Sequence, residues 1–288
     1  MNEKLSPRAQ EFVNDFEKTE PVLVGRLLLK LTKFINKEKY IAGRNFYAYI
    51  RHIDDIVYEG KDPDSTKLFL REEMAFLESL IENNFKIPNN LDPYRELLIQ
   101  GFENTTKKTE IATNLINGIK AFYLDTLAIK YSKPIPEDYR TSRNSLTLLP
   151  YLETLSLILF NRSFTGKENP KEFDQILTAW VELDALRDYP EDLPAGLVIF
   201  SKNDLEKDIV KLEVGEKVPQ EFNELHKRLK LENIKRILEN LSSLNKSDLP
   251  IAVRLAFQLY FLRGILKLLR MESMGDTEII FAVNQGLK

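Results

Sequence analysis

Apolar residues recur at three- and four-residue steps along almost the whole chain, and this spacing constrains the fold more than any other feature. An α-helix brings such positions to one face, whereas a half-buried strand needs alternating apolar and polar residues. Alternating β-branched runs are scarce, and only 11 glycines occur in 288 residues. The sequence therefore predicts an all-α protein.

Turn residues divide this pattern into a series of predicted helices. Breaks such as Gly60-Lys-Asp-Pro-Asp and Pro88-Asn-Asn fall between apolar runs, and glycine, proline and asparagine are typical of turns. We predict helices over about 8–17, 20–35, 38–60, 65–83, 92–103, 107–131, 136–162, 170–190, 203–212, 218–241 and 248–271. The last is apolar enough to raise the question of a membrane span. Its four basic side chains would have to enter hydrocarbon, so we predict a core helix with those side chains along one face: Arg254, Arg263, Lys267 and Arg270.

Composition favours one compact domain over residues 1–288. The chain is 43% hydrophobic and 30% charged, and it contains no Gly/Ser-rich or Pro-rich linker and no internal repeat. A net charge of −3 argues against nucleic acid as a partner, because phosphate binding needs clustered positive charge. The absence of cysteine excludes disulfides and thiolate chemistry and is compatible with the cytoplasm. We expect no secretory signal, because no basic segment precedes an apolar stretch at the N-terminus.

Two acidic clusters, each containing an arginine, lie about half a chain apart. The first is Arg51-His-Ile-Asp-Asp-Ile-Val-Tyr-Glu59 and the second is Asp184-Ala-Leu-Arg-Asp-Tyr-Pro-Glu-Asp192. Both fall in predicted helices, where side chains four residues apart share a face. Asp55 with Glu59, and the set Asp184, Asp188 and Asp192, thus form ladders of the oxygen ligands that Mg²⁺ prefers. Two ladders facing one cavity would hold a diphosphate through metal, although either cluster alone is also common on a solvated helix face.

The same residues indicate a reaction. Diphosphate leaves readily only when its charge is neutralised, and metal ions with arginines supply that neutralisation. The carbocation left behind needs a dry cavity, and aromatic faces can stabilise it. The chain has 17 Phe and 11 Tyr from which such a cavity could be built, although core packing is the ordinary role of each.

The surrounding residues resemble a known family. The run Tyr47-Ala-Tyr-Ile-Arg51-His-Ile-Asp-Asp-Ile-Val-Tyr-Glu59 resembles the first aspartate-rich motif of the squalene and phytoene synthases. The run Leu186-Arg-Asp-Tyr-Pro-Glu-Asp192 resembles their Asn-x-x-Arg-Asp-x-x-Glu-Asp signature, and the order and separation of the two motifs also fit. This resemblance implies a class I isoprenoid synthase helical bundle. It also implies a Mg²⁺-dependent prenyltransferase that joins two allylic isoprenyl diphosphates head to head.

The resemblance also implies roles for individual residues. The catalytic residues would be Asp54, Asp55, Asp188, Asp192 and the active-site tyrosine Tyr47. Arg51 and Arg187 would bind diphosphate, and Glu191 matches the second motif as well. With the ladder positions included, the expected metal ligands are Asp54, Asp55, Glu59, Asp184, Asp188 and Asp192. The need for NADPH, the substrate chain length and the oligomeric state stay open.

Four departures from the family pattern keep two alternatives open. Tyr58 replaces the third aspartate of the first motif, Asp184 replaces an asparagine and Leu197 replaces an arginine. The segment 143–151 lacks the family's helix of small residues, which makes room for a long prenyl chain. One alternative is a lyase similar to terpene cyclases that acts on one isoprenyl diphosphate. The other is a non-catalytic relative that serves as a binding or assembly module.

We predict packing or surface roles for the two histidines and for a basic run. His52 adjoins the first motif but faces a different direction from Asp54, so we predict that it is packed or solvated rather than a metal ligand. The run His226-Lys-Arg-Leu-Lys230 leaves contact with an anionic membrane surface open. We predict instead a solvated face, balanced by Glu221, Glu224 and Glu232. Neither a Walker A nor a Gly-x-Gly-x-x-Gly sequence occurs.

Overall fold

A computed structural model describes the chain over a set of segments that together carry seven long helices. The described residues are 5–19, 33, 36–59, 62–88, 90–131, 150, 153–154, 156–158, 161, 179, 182–183, 186–187, 220–246 and 251–270. Within them the chain is helical and contains no strand. The all-α prediction is therefore confirmed for the described part of the chain.

The seven helices begin and end close to their predicted positions. They are α1 (Pro7–Thr19), α2 (Lys37–Glu59), α3 (Pro63–Glu82), α4 (Pro93–Glu103), α5 (Lys108–Tyr131), α6 (Gln220–Lys246) and α7 (Ile251–Arg270). The predicted helices 20–35 and 203–212 lie outside the described residues, apart from Lys33, which is helical. The helix predicted to reach 162 ends earlier, because Asn161 has a φ of 53°, in the left-handed region.

Local chemistry explains where α3 begins. The Asp62 side chain accepts hydrogen bonds from the backbone amides of Asp64 and Ser65, at 3.2 and 3.1 Å, and thus caps the helix. Pro63 follows at the first helical position, where a missing N–H costs nothing. These interactions separate α3 from the helix that carries the first acidic motif.

Chain contacts divide the molecule into two compact units. The first comprises Met1–Lys120 and Pro150–Glu168, and the second comprises Ala121–Leu149 and Asn169–Lys288. The single domain predicted for residues 1–288 stays a prediction.

In the first unit, α2 packs mainly against α4. The buried face of α2 includes Phe46, Tyr49 and Ile53, at the three- and four-residue steps that place side chains on one side of a helix. The Phe46 ring meets Phe102 of α4 edge to face, with ring centroids 5.0 Å apart. A Cβ at Gly101 would lie 3.1 Å from that ring, so the small residue permits the close approach of the two helices.

In the second unit, α6 and α7 pack together, and both also contact described helical residues of the 179–187 segment. Leu183, Leu225, Ile237, Phe261 and Leu268 are buried there. The prediction that α7 is a core helix with its basic residues along one face is only half right. One face is buried, but several leucines on the other are exposed. Arg254 precedes Arg263 by about two and a half turns, so these two side chains lie on opposite sides.

None of the helices in the described part of the chain is both long enough and apolar enough to cross a bilayer.

Candidate functional site

The first acidic motif occupies the last three turns of α2, on the side away from the core. Tyr47 is half-buried, and one turn further along Arg51 is 44% exposed at its side chain. The side chains of Asp54 and Asp55 are 22% and 42% exposed. Tyr58 and Glu59 are the last two residues of the same helix. The structure therefore brings Arg51, Asp54 and Asp55 together at an accessible surface.

Arg51 forms a bridge between the two aspartates. Its Nη1 lies 2.5 Å from Asp54 Oδ2 and its Nη2 lies 3.0 Å from Asp55 Oδ1. The arginine precedes its partners by three and four residues, the spacings at which helical side chains meet. One guanidinium thus lies between two carboxylates, and the cluster as a whole carries a net negative charge.

The position of this cluster along α2 is electrostatically unfavourable. Carbonyl groups at the C-terminal end of a helix carry partial negative charge, and basic side chains there are stabilising. α2 has no basic residue in its last turn, and it ends on Glu59 after two aspartates one turn earlier. A cation bound near the end of α2 would offset this accumulation of negative charge.

His52 is packed inside the first unit, and packing is one of the two roles predicted for it. Its ring lies 4.3 Å from the Tyr94 ring and 5.4 Å from the Phe12 ring, measured between centroids. Burial lowers the pKa of His52, against the opposing effect of the charges on Glu73, Asp55 and Asp92. The imidazole is therefore an uncharged packing group near neutral pH.

A buried carboxylate beneath the motif was missed by the sequence reasoning. Glu73 of α3 is fully buried and accepts hydrogen bonds from Tyr49 Oη at 2.8 Å and Tyr94 Oη at 3.2 Å. Arg95 Nε and Nη2 donate to the same carboxylate at 3.0 and 2.5 Å. The Arg95 guanidinium also lies over the Phe76 ring, 4.6 Å from its centroid.

The electrostatics of this buried cluster favour a fixed ion pair. Burial, followed by the charge on Glu73 and the hydrogen bond to it, raises the pKa of Tyr49 well above its ordinary value. Burial and the Glu73 charge raise the pKa of Tyr94 in the same way. Burial pulls the pKa of Arg95 down, but the hydrogen bond and charge of Glu73 raise it overall. Both tyrosines therefore keep their protons and donate hydrogen bonds to the Glu73 carboxyl group.

The sequence does contain a signal for Glu73. Buried residues of α3 recur at Thr66, Leu70, Leu77 and Leu80, and Glu73 occupies the same stripe. A glutamate on an apolar stripe needs a buried partner, because an isolated buried charge is strongly unfavourable. The identity of that partner could not be read from the sequence, because Tyr49 and Arg95 belong to other helices.

Of the second acidic motif, only Leu186 and Arg187 are among the described residues. Arg187 is helical, and its Nη1 donates to Tyr260 Oη of α7 at 3.3 Å. The other residues predicted for this half of the site lie outside the described residues: Asp184, Asp188, Glu191, Asp192 and Leu197, together with segment 143–149. Their convergence with Asp54 and Asp55 stays a prediction.

His226 contacts the backbone of the second motif at Leu186. Its Nε2 lies 3.0 Å from the Leu186 carbonyl oxygen, and because a carbonyl only accepts, Nε2 carries the proton. Burial lowers the pKa of His226, the Leu186 hydrogen bond raises it and Lys230 lowers it, with a net decrease. The prediction that the His226–Lys230 run forms a solvated face is therefore wrong for His226, which is buried. Lys227 and Glu224 are exposed as expected.

A buried polar group lies close to this segment of the second unit. Asn233 Nδ2 donates to the Ala179 carbonyl and to Glu182 Oε2, each at 3.1 Å, and Arg236 Nη1 donates to the same Glu182 oxygen. Helix α6 is thus tied to Ala179 and Glu182 by polar contacts. Together with the His226 bond, they hold Ala179, Glu182 and Leu186 against α6.

Within the described part of the chain, no three or more His, Cys, Asp or Glu side chains lie close enough together to hold a metal ion. The ligands that the sequence predicts from the second motif are not among those residues. The donor set that is described, Asp54 and Asp55, consists of oxygens only and already holds one cationic group. This chemistry fits a hard divalent cation such as Mg²⁺.

Comparison with models of known protein families gives no match for this chain, and neither does comparison with curated protein sequences.

Proposed function

We propose that this protein is a Mg²⁺-dependent prenyltransferase similar to the squalene and phytoene synthases, with a class I isoprenoid synthase bundle. In this proposal it ionises allylic isoprenyl diphosphates and joins two of them head to head. The observation that carries the proposal is the accessible cluster of Arg51, Asp54 and Asp55 on α2. Its residue types, their order and their common face are those expected of a diphosphate site.

The cluster supports the proposal because its internal ion pairs are easily exchanged. Ion pairs between exposed side chains contribute about 1 kcal/mol or less, and Arg51 and Asp55 are both more than one-third exposed. Arg51 could therefore leave the aspartates at little cost and donate its N–H groups to phosphate oxygens, for which a guanidinium is well shaped. Asp54 and Asp55 would then be the oxygen ligands of Mg²⁺. When bound, Mg²⁺ would supply the neutralisation that lets diphosphate leave.

The second motif would supply the remaining ligands of the site. In this proposal Asp184, Asp188 and Asp192 hold further Mg²⁺, and Glu59 extends the first ladder. Arg187 binds diphosphate, and its hydrogen bond to the Tyr260 hydroxyl supports that role because it orients the guanidinium. Tyr47, one turn before Arg51 on the same side of α2, would contact the reacting carbons.

We place the enzyme in the cytoplasm, with isoprenyl diphosphate rather than nucleic acid as its ligand, and leave the use of NADPH open.

The test is product analysis. The protein is incubated with Mg²⁺ and farnesyl or geranylgeranyl diphosphate, and the extract is analysed by mass spectrometry. We expect a hydrocarbon with twice the carbon number of the substrate, or its cyclopropyl diphosphate precursor. Asp54→Asn and Asp55→Asn should each lower the rate by about 10²-fold or more, because they remove charge stabilisation at the leaving group.

A matched control distinguishes the effect of removing a charge in the cluster from that of removing an exposed charge elsewhere. Asp64 is an exposed aspartate of α3 that pairs with Lys67 three residues later, at 2.8 Å, as Asp54 pairs with Arg51. Asp64→Asn should leave the rate unchanged. Products with only the substrate's carbon number would replace the condensation proposal with the lyase alternative. Recovery of unreacted diphosphate under all conditions would favour the binding or assembly module.

A further inference from the structure

Helix α7 exposes a continuous row of large apolar side chains. The row, called here the α7 stripe, consists of Ile251, Leu255, Leu259, Leu262, Leu266 and Leu269, with exposed fractions between 45 and 67%. These residues follow one another at steps of three and four, so they lie on one side of the helix. Single exposed leucines are normal, but a contiguous apolar surface marks an interaction site.

The opposite face of α7 is buried, and this keeps the stripe exposed to solvent. Tyr260, Phe261 and Leu268 are buried in the second unit. A Cβ added at Gly264 would lie 2.5 Å from Leu183 Cδ2, so the backbone of α7 lies directly against that side chain. The helix could not rotate the stripe inward without exposing these residues. α7 therefore has two apolar faces, and the core uses only one of them.

The charges on α7 are all positive. Its 20 residues include no aspartate or glutamate. Arg263, Lys267 and Arg270 are exposed, and each directly follows a leucine of the stripe, so all three lie along one flank of it. Arg254 lies on the other side, near the Ile251 end. The exposed surface of α7 is thus an apolar stripe flanked by cations.

We propose that the α7 stripe binds an anionic lipid surface, with α7 lying in the plane of the headgroups. An apolar face that enters the acyl boundary, flanked by basic side chains that reach phosphate or carboxylate headgroups, is the pattern of an interfacial helix. A second copy of the chain fits less well. In a second copy the stripe would meet another α7, and α7 offers no acidic side chain to pair with these cations.

This proposal differs from the membrane contact left open for the His226–Lys230 run, since His226 is buried. It also stands apart from the proposed function. It concerns a different surface, and its test needs neither substrate nor Mg²⁺. Loss of prenyltransferase activity would therefore leave it intact, and failure to bind lipid would leave the proposed function intact.

The test is flotation of the full chain with lipid vesicles, in the absence of substrate. We expect the protein to float with phosphatidylcholine vesicles that contain phosphatidylserine, and much less with phosphatidylcholine alone. Each basic residue near an anionic surface contributes about a fivefold gain in partitioning. Arg263→Gln combined with Arg270→Gln should therefore weaken binding to the anionic vesicles about 25-fold. High salt should weaken binding of the unaltered chain as well.

The stripe itself is tested by Leu255→Gln combined with Leu262→Gln. Both residues are exposed, so the variant should keep its melting temperature and lose vesicle binding. Leu68→Gln and Arg71→Gln are the controls, because both residues are exposed on α3 in the first unit, and they should bind as the unaltered chain does. Unchanged binding in the stripe variant would overturn the proposal. So would a dimer in solution that the stripe variant dissociates, since that result would assign the stripe to a second copy.

Discussion

Among its described residues, the first unit contains two arginine–carboxylate clusters that differ mainly in burial. Arg51 with Asp54 and Asp55 lies on the accessible side of α2, and these two ion pairs are formed within that helix. Arg95 with Glu73 lies beneath it, where Glu73 is fully buried and receives donors from α2 and α4. The same chemical groups are exchangeable in the first case and fixed in the second. Burial, rather than the identity of the pair, decides which cluster is available to a ligand.

The largest expected effect comes from breaking the buried cluster. Glu73→Ala would leave the Arg95 charge and two tyrosine hydroxyls without their shared acceptor. Removal of one partner of a buried ion pair costs about 3–5 kcal/mol, and we expect a loss of this size in the free energy of unfolding, measured by urea denaturation. Glu72→Ala is the control, because the neighbouring side chain is exposed. If the two variants were equally stable, Glu73 would not anchor the first unit.

The sequence predicts the helices well because each depends on local information. The predicted 38–60, 92–103 and 107–131 agree within one residue with α2, α4 and α5, since apolar periodicity and turn residues act over a few positions. The same reasoning groups Arg51, Asp54 and Asp55 on one face, because their contacts are three and four residues apart. The sequence therefore predicts those features that depend on residues only a few positions apart.

Features that depend on contacts between helices were not predicted. Glu73 meets its partners through α2 and α4, and His226 meets the Leu186 carbonyl 40 residues away, so neither environment follows from spacing within one helix. The α7 stripe shows the same limit. Its apolar periodicity is visible in the sequence, but a helix that is apolar on two faces does not indicate which face the core covers.

A smaller effect should come from His52, which packs beside the buried cluster on α2. Burial lowers its pKa in the folded protein, so the unfolded chain takes up a proton first as pH falls. The stabilisation is complete above the unfolded pKa of about 6.5 and is lost as pH falls through that value toward the lower folded pKa. We expect the free energy of unfolding to fall between about pH 7.5 and pH 5.5, above the range where most carboxylates titrate.

The His52→Gln variant should show a flatter dependence on pH over the same interval. His226→Gln is the matched reference, because it removes the other histidine with a lowered pKa and keeps the contribution of His52. Denaturation of both variants at several pH values makes the comparison. An unchanged slope in His52→Gln would contradict the packed, uncharged state assigned to this ring.

The smallest effect on stability, and the sharpest test of the comparison, is expected at the exposed cluster. Asp54→Asn and Asp55→Asn each break an exposed ion pair that contributes about 1 kcal/mol or less, and each also relieves repulsion near the negative end of α2. The two contributions oppose one another. Without Mg²⁺ we therefore expect a change within about 0.5 kcal/mol, of either sign.

The response of the melting temperature to Mg²⁺ should distinguish this site from an ordinary surface ion pair. A ligand that binds only the folded state stabilises it by about 2.7 kcal/mol at a hundredfold excess over its dissociation constant. Mg²⁺ with pyrophosphate should accordingly raise the melting temperature of the unaltered chain. The two variants should lose most of that shift, as should Asp188→Asn and Asp192→Asn, whereas Asp64→Asn should keep it. A cluster that is neutral to folding and necessary for the Mg²⁺ response is a binding site. If the shift were absent from the unaltered chain, or survived in Asp54→Asn and Asp55→Asn, Arg51 and its aspartates would be a surface ion pair and nothing more.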